Sequence, residues 1–371
     1  MITPEEQNSE IIPAAPEHLA SQRTYQGIPS IAATQKGRLF ATWYTGGNGE
    51  EAGNYVVLVH SDDQGATWTD AEYVVVANHE RLRAFDPTIF CAPDGRIFLF
   101  WAQSFSPENA PNDYVKVFDG KAGVWYSVLN NPDDSPENFI FTPPRRICDG
   151  IMMNKPVVLA DGSWALPVSV WTFPEYFSGL EGYNPGTKMY ISTDNGASFR
   201  FQGEVHIPEG KRNFDEHSIY QLQDGRLAML IRVLGGFMES TSDDNGRTWT
   251  EPVMSSIESP CSRGFIWRLP SGRLLLVCND DPAIRRNMTA AISDDDGRTW
   301  SAKVLLDGRK VCSYPDAAIM PDGSIYIIYD YNRYNGGNIL LARITEEDIL
   351  AARLSGENSC TGHLISSTRC K

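Results

Sequence analysis

One eight-residue pattern recurs along the chain and constrains its fold more than any other feature. It reads S-x-D-x-G-x-[ST]-[WF], and its copies are SDDQGATW at 61–68, STDNGASF at 192–199, SDDNGRTW at 242–249 and SDDDGRTW at 293–300. The Asp and the Gly favour a tight turn, and the final aromatic residue can anchor that turn by packing. Recurrence of one turn along a chain is typical of repeat architectures. We therefore interpret these segments as structural turns of a repeat protein.

A second repeated signal predicts the number of repeats. Glycines that follow Asp, Lys or Ser and precede an apolar strand-like run stand at Gly37, Gly95, Gly162, Gly225, Gly272 and Gly323. Each is typical of a hairpin turn, and six hairpins at blade-sized intervals predict an all-β, six-bladed β-propeller. The predicted organisation is an N-terminal extension at 1–20, the propeller at 21–345, and a short helix with a polar tail at 346–371.

Composition narrows the range of partners. The formal net charge of −15 over 371 residues disfavours nonspecific binding to nucleic acid or to an anionic membrane. An anionic substrate would need a local cluster of arginines. The N-terminus lacks the pattern of a signal peptide, and no stretch approaches the roughly 20 apolar residues of a membrane span, so we expect a cytoplasmic protein.

The register of the predicted strands points to a polar ring at one end of the channel. Counting nine residues back from each hairpin glycine gives Ile28, Asp86, Met153, Glu216, Arg263 and Tyr314. Arg232 ends the second strand of the fourth repeat and should lie near Glu216. Burying such groups without partners is costly, so they should pair with one another or face a wet pocket. One alternative is that they form ion pairs that only close the end of the barrel.

Three segments resemble the exo-α-sialidases, a likeness that extends over about residues 20–345. They are FDEHSIYQLQDGRLAMLIR at 214–232, RRNMTAAISDDDGRTW at 285–300 and CSYPDAAIMPDGSIYIIY at 312–329. The resemblance implies that Tyr314 is a nucleophile and that Glu216 is its general base, an arrangement outside the usual two-carboxylate scheme. It also implies that Arg232 and Arg285 bind a substrate carboxylate, with Arg286 one position away from the second of these.

The chain departs from the pattern of that family at two positions. The family has an arginine before Ile-Pro in the first blade, where this chain has Gly27. The family's general acid is an Asp in the loop after the second strand, and here TGGNGEEAGNY offers Glu50 or Glu51 instead. A glutamate can perform the same proton transfer with a longer reach.

These observations favour a retaining exo-glycosidase that removes a terminal, acidic sugar from a glycan. Asp86 and Arg263 are further candidates for substrate binding because they belong to the polar ring. No metal ligands at typical spacing and no cofactor motif accompany the candidate residues. A polysaccharide lyase, in which Tyr314 would transfer protons, and a non-catalytic glycan-binding propeller are the alternatives.

Overall fold

The computed structural model describes residues 9–78, 81–105, 123–171 and 184–369, and these form six antiparallel sheets. The sheets are the six blades of a β-propeller, as the hairpin glycines predict. Innermost strands of neighbouring blades contact each other, as Gln26–Ala33 does with both Leu82–Cys91 and Cys312–Ile319. Each blade is built from strands that are consecutive in the chain.

The strands of the first three blades are the following. Blade one contains β1 (Ser9–Pro13), β2 (Gln26–Ala33), β3 (Leu39–Thr45), β4 (Tyr55–Ser61) and β5 (Tyr73–Ala77). Blade two contains β6 (Leu82–Cys91), β7 (Ile97–Phe105), β8 (Gly123–Leu129) and β9 (Arg145–Cys148). Blade three contains β10 (Val157–Val158), β11 (Trp164–Val170), β12 (Gly186–Ser192) and β13 (Arg200–Val205).

The other three blades follow the same plan. Blade four contains β14 (His217–Gln221), β15 (Leu227–Val233), β16 (Gly236–Ser242) and β17 (Val253–Met254). Blade five contains β18 (Phe265–Arg268), β19 (Leu274–Asn279), β20 (Met288–Ser293) and β21 (Ala302–Asp307). Blade six contains β22 (Cys312–Ile319), β23 (Ile325–Tyr331), β24 (Asn338–Ile344) and β25 (Cys360–Ser367), with helix α1 (Glu346–Leu350) before β25. Short 3₁₀ turns lie at Pro16–His18, Ala20–Gln22, Pro136–Asn138 and Glu209–Lys211.

The repeated turns connect the third and fourth strands, counted outward from the channel, of blades one, three, four and five. In the first turn, the Asp63 carboxylate accepts hydrogen bonds from Ser61 Oγ and Thr67 N, both at 2.8 Å. The indole nitrogen of Trp68 donates to the Gly65 carbonyl at 3.1 Å. Equivalent Ser-to-Asp and backbone-to-Asp bonds recur in the other three turns. The repeated sequence is therefore a repeated hydrogen-bonded structure.

Both ends of the described chain belong to sheets. Strand β1 pairs with β5 as a fifth, outer strand of blade one. The polar coil predicted after helix α1 is wrong, since β25 pairs with β24 as the outer strand of blade six. Its residues alternate between exposed and half-buried, so the segment has little of the apolar pattern by which strands are found. Within the described ranges, no helix has the length and apolar character needed to cross a membrane.

Candidate functional site

Three inner strands carry the same irregularity at one end of the channel. The pairing register shifts between Gly27 and Ser30, between Phe85 and Thr88, and between Ser313 and Asp316. Within the shifts, Ile28, Asp86 and Tyr314 precede a proline and have φ values of 57°, 44° and 53°. Side chains rarely adopt this left-handed conformation, and proline further restricts the residue before it. The inner strands therefore present these residues from strained bulges.

Tyr314 lies beside an ion pair between Glu216 and Arg232. Nη1 of Arg232 lies 2.7 Å from Oε2 of Glu216 and donates to the Tyr314 hydroxyl at 3.2 Å. All three residues are buried, with exposed fractions of 4%, 3% and 4% for Glu216, Arg232 and Tyr314. The structure thus brings together the three residues that strand register and family resemblance select. Their catalytic roles stay predictions.

Further contacts fix the guanidinium of Arg232. Its Nη2 donates to Asn213 Oδ1 at 3.0 Å, and its Nε donates to Cys261 Sγ at 3.4 Å. Burial disfavours the charge, but Glu216, Tyr314 and Cys261 together outweigh burial, and the pKa of Arg232 is raised. The arginine therefore keeps its positive charge beside the Glu216 carboxylate.

Three more arginines surround the ring of Tyr314. The Cζ atoms of Arg333, Arg285 and Arg263 lie 4.8, 5.0 and 5.5 Å from its centroid. The alternative Arg286 instead pairs with Asp281, so Arg285 is the residue of this pair that faces Tyr314. We call Tyr314, Glu216 and these four arginines (Arg232, Arg263, Arg285 and Arg333) the tyrosine cluster.

The bonds of Arg263 and Arg285 are made to backbone carbonyls. Arg263 donates to Met153 O and to Pro315 O, and Arg285 donates to Cys261 O at 3.3 Å. Within residues 9–78, 81–105, 123–171 and 184–369, neither forms an ion pair with a carboxylate. Two uncompensated positive charges thus stand beside Tyr314 in a protein whose overall charge is strongly negative.

The structure distinguishes the two candidate acids by position. Glu50 Oε1 accepts a hydrogen bond from the Tyr334 hydroxyl at 2.6 Å and lies 3.1 Å from Arg333 Nη2. Glu51 instead accepts from the backbone nitrogen of Asn48 within its own loop. Glu50 therefore adjoins the tyrosine cluster through Arg333, whereas the described bond of Glu51 is internal to the loop.

Asp86 is buried in the bulge of blade two. Its carboxylate is one of the groups that raise the pKa of Tyr44, after burial itself and the charge of Glu50. Asp86 therefore belongs to the same end of the channel, and its role in substrate binding stays a prediction. The described part of the chain holds no group of three His, Cys, Asp or Glu side chains suited to a metal ion.

Arg333 is the member of the cluster that the sequence reasoning missed. It follows β23 and lies in the connection to β24, away from the strand positions used for counting. Its side chain packs against Gly27, where a Cβ atom would come within 2.7 Å of Arg333 Cδ. A signal could have been the departure at Gly27 itself, because an absent side chain leaves room for a neighbour.

The fold and the repeated turns define the class of this protein, a six-bladed β-propeller with recurring hydrogen-bonded turns. The BNR repeat-like domain matches residues 37–327, more than half of the chain, and the chain belongs to that family. The comparison with curated proteins found no match to the sequence.

Solved structures share the fold at low sequence identity. The Hadza microbial sialidase Hz136 has a TM-score of 0.71 and 18% identity, over 89% of this chain and 67% of its own. The intramolecular trans-sialidase from Ruminococcus gnavus has a TM-score of 0.65 and 15% identity, and the match covers 92% of this chain and 99% of that protein. Trypanosoma rangeli sialidase in complex with sialic acid has a TM-score of 0.67 and 13% identity, and the match covers 93% of this chain and 60% of that protein.

Proposed function

We propose that this protein is a retaining exo-glycosidase that removes a terminal, acidic sugar from a glycan. The observation that carries the proposal is the contact of one Arg232 nitrogen with both the Tyr314 hydroxyl and the Glu216 carboxylate. A phenol is a weak nucleophile at its ordinary pKa, so it requires a neighbouring base. The Glu216 carboxylate shares Arg232 with the Tyr314 hydroxyl and is suited to be that base.

The remaining charges favour an acidic ligand. Arg263 and Arg285 face Tyr314 without a carboxylate partner among the described residues. A carboxylate on the sugar would supply charge-assisted hydrogen bonds to such groups. A tyrosine also suits an anomeric centre that bears a carboxylate, because a neutral nucleophile avoids repulsion between like charges.

The proposed reaction has two steps. The Tyr314 oxygen attacks the anomeric carbon while Glu216 accepts the phenolic proton, and Glu50 gives a proton to the departing glycosidic oxygen. Water then attacks the same carbon, the ionised Glu50 accepts a proton from that water, and the phenolate leaves and regains its proton from Glu216. Two displacements at one carbon retain the anomeric configuration.

A panel of glycosides tests the proposal. The wild-type protein should release 4-methylumbelliferone from an α-sialoside or a uronide, with retention at the anomeric carbon by NMR. Formation of an unsaturated sugar would instead indicate a lyase, and binding without any cleavage would indicate a glycan-binding protein. Either result contradicts the proposal.

Substitution of the nucleophile supplies a second, sharper test. Tyr314→Phe should lower kcat by about 10³-fold or more, because the covalent step loses its oxygen, while the substrate still binds. Tyr326→Phe is the matched control, since Tyr326 is buried in the same blade and its hydroxyl has no hydrogen-bond partner among the described residues. Near-normal turnover by Tyr314→Phe would exclude the tyrosine nucleophile.

A further inference from the structure

Gly27 and Arg333 share one volume at the junction of blades one and six. A Cβ atom at position 27 would lie 2.7 Å from Cδ and 3.0 Å from Cβ of Arg333, and 3.1 Å from Oδ2 of Asp330. Contacts below 3.0 Å are not tolerated without movement of the neighbour. The absence of a side chain at position 27 is therefore what allows Arg333 to reach this part of the channel end.

Contacts with residues of blades one and six fix the position of Arg333. Asp330 Oδ2 lies 3.5 Å from Arg333 Nη1, and Asp330 itself accepts hydrogen bonds from Ile28 N at 3.0 Å and Ser313 Oγ at 2.7 Å. On its other side, Nη2 of Arg333 lies 3.1 Å from Glu50 Oε1 and 3.3 Å from the Tyr334 hydroxyl. The guanidinium is thus held between two blades.

Part of the hydrogen-bonding capacity of Arg333 is unused. The residue is 9% exposed, yet its Nε and Nη1 atoms have no hydrogen-bond acceptor within the described part of the chain. Unpaired buried donors are costly and are usually explained by a functional role or a missing partner. Because its Cζ atom lies 4.8 Å from the centroid of the Tyr314 ring, a ligand bound against Tyr314 would lie within reach of this guanidinium.

Arg333 also keeps its positive charge. Burial disfavours that charge, but Glu50 and Asp330 outweigh the effect and raise the pKa of Arg333. Before Glu50 donates its proton to a leaving group it is neutral, and Arg333 then faces one negative charge fewer than after the transfer.

We propose that Arg333 is a substrate-binding, specificity-determining residue that binds the carboxylate of the acidic sugar from the space that Gly27 leaves open. The proposal rests on the proposed function, and it names the residue that selects an acidic over a neutral ligand. In this proposal the connection between β23 and β24 supplies the arginine contact with the sugar carboxylate, and the first blade, which has Gly27 at this place, does not.

The test compares a free acid with its methyl ester. N-Acetylneuraminic acid, D-glucuronic acid and their methyl esters are titrated calorimetrically into wild-type protein and into Arg333→Gln. Binding of the preferred acid should weaken about 10- to 100-fold in the variant, because one or two charge-assisted bonds are lost, while binding of its ester should change little. A role limited to holding the blades together would weaken acid and ester equally.

Two further variants keep the test informative. Arg273→Gln is the matched control, because Arg273 also bridges two carboxylates, those of Asp294 and Glu346, and lies outside the tyrosine cluster. It should leave both affinities unchanged. Gly27→Ala should reproduce the selective loss of the acid in milder form, since the added methyl group displaces Arg333. The circular dichroism spectrum of each variant should match that of the wild-type protein, which checks that the variant is folded.

The outcomes separate this proposal from the proposed function. If the wild-type protein hydrolyses only neutral glycosides, or if Arg333→Gln binds the acid as well as the wild type does, the role of Arg333 is wrong while a glycosidase function stands. If the acid binds in an Arg333-dependent way but no glycoside is cleaved, the role of Arg333 stands and the hydrolytic function is wrong.

Discussion

Strained residues at the channel end show how single positions shape the site. Ile28, Asp86 and Tyr314 each adopt a positive φ before a proline, and residues in such sparsely populated conformations cost about 1–3 kcal/mol each. The same bulge in three blades re-aims the inner strand at this end of the channel. For Tyr314 the result is a hydroxyl directed at Arg232.

Removal of the charge of Glu216 tests its assignment as the base. Glu216→Gln keeps the shape of the side chain but can accept no proton, so kcat should fall about 10²- to 10⁴-fold with a smaller change in KM. Steady-state kinetics on the best glycoside measure this effect. Glu239→Gln in the same blade, where Glu239 bonds Ser255, should retain normal kcat. Equal losses in both variants would contradict a catalytic role for Glu216.

Residues at equivalent positions of the repeated blades could be predicted, whereas contacts between distant connections could not. Counting from hairpin glycines selects Glu216, Arg232 and Tyr314 because equivalent strands have equivalent geometry. The contact between Gly27 and Arg333 depends on how the first and last blades meet, which local periodicity does not encode. The choice of Glu50 over Glu51 likewise depends on the conformation of a loop.

At the scale of elements, the repeated turns are small hydrogen-bonded units that carry their own pH dependence. Hydrogen bonds from the side chain and backbone of Thr67 lower the pKa of Asp63 to about 2. Bonds from Thr248 and Thr299 lower the pKa of Asp244 and of Asp295 to about 2 as well. Each turn is therefore stabilised by the ionised form of its Asp.

These shifts predict acid sensitivity in a defined window. Because the folded-state pKa lies below the unfolded value near 4, the contribution of each Asp is fully present above pH 4 and is lost as the pH falls to 2. The melting temperature should decline through this window. Asp244→Asn should lower the melting temperature at pH 7 and make it less dependent on pH between 4 and 2. Scanning calorimetry in pH steps measures both effects, and an unchanged pH dependence would contradict the assignment.

The outer strand of blade six shows why some elements escape sequence reasoning. The repeated turns can be recognised from the sequence because their characteristic residues and their hydrogen bonds lie within the same eight-residue segment. Strand β25 is recognisable only through its partner β24, whose Ile339 and Leu341 are buried. Pairing with a distant apolar edge, rather than the pattern of its own side chains, makes this segment a strand.

At the scale of the whole molecule, a buried lysine connects three blades across the channel. Lys155 precedes β10 of blade three, and its ammonium donates to Ile31 O in blade one and to Ala317 O in blade six, both at 2.6 Å. It also lies 3.1 Å from the carboxylate of Asp316. That carboxylate accepts further bonds from Ser30 Oγ and Ile31 N. The channel is therefore filled by a polar connection here.

Breaking this pair from one side should be more damaging than replacing both partners. Lys155→Met leaves a buried carboxylate without its counter-charge and should lower the free energy of unfolding by about 3 kcal/mol. Adding Asp316→Asn removes the uncompensated charge and should recover part of that loss. Urea unfolding followed by tryptophan fluorescence compares the two proteins with the single variant Asp316→Asn. Additive losses would show that the two residues are not coupled.

The junction of blades one and six has a consequence for how the protein tolerates change. Every described sheet consists of consecutive strands, so no described strand crosses from the last blade into the first to lock the ring. The joint consists instead of contacts such as Ile28 with Asp330, Gly27 with Arg333, and Gln26 with Gly337. Arg333, a member of the tyrosine cluster, thus also helps to hold the ring closed. A substitution at Arg333 that changes ligand preference must therefore preserve the contacts between blades one and six. A ligand bound to Arg333 should in turn stabilise the closed ring.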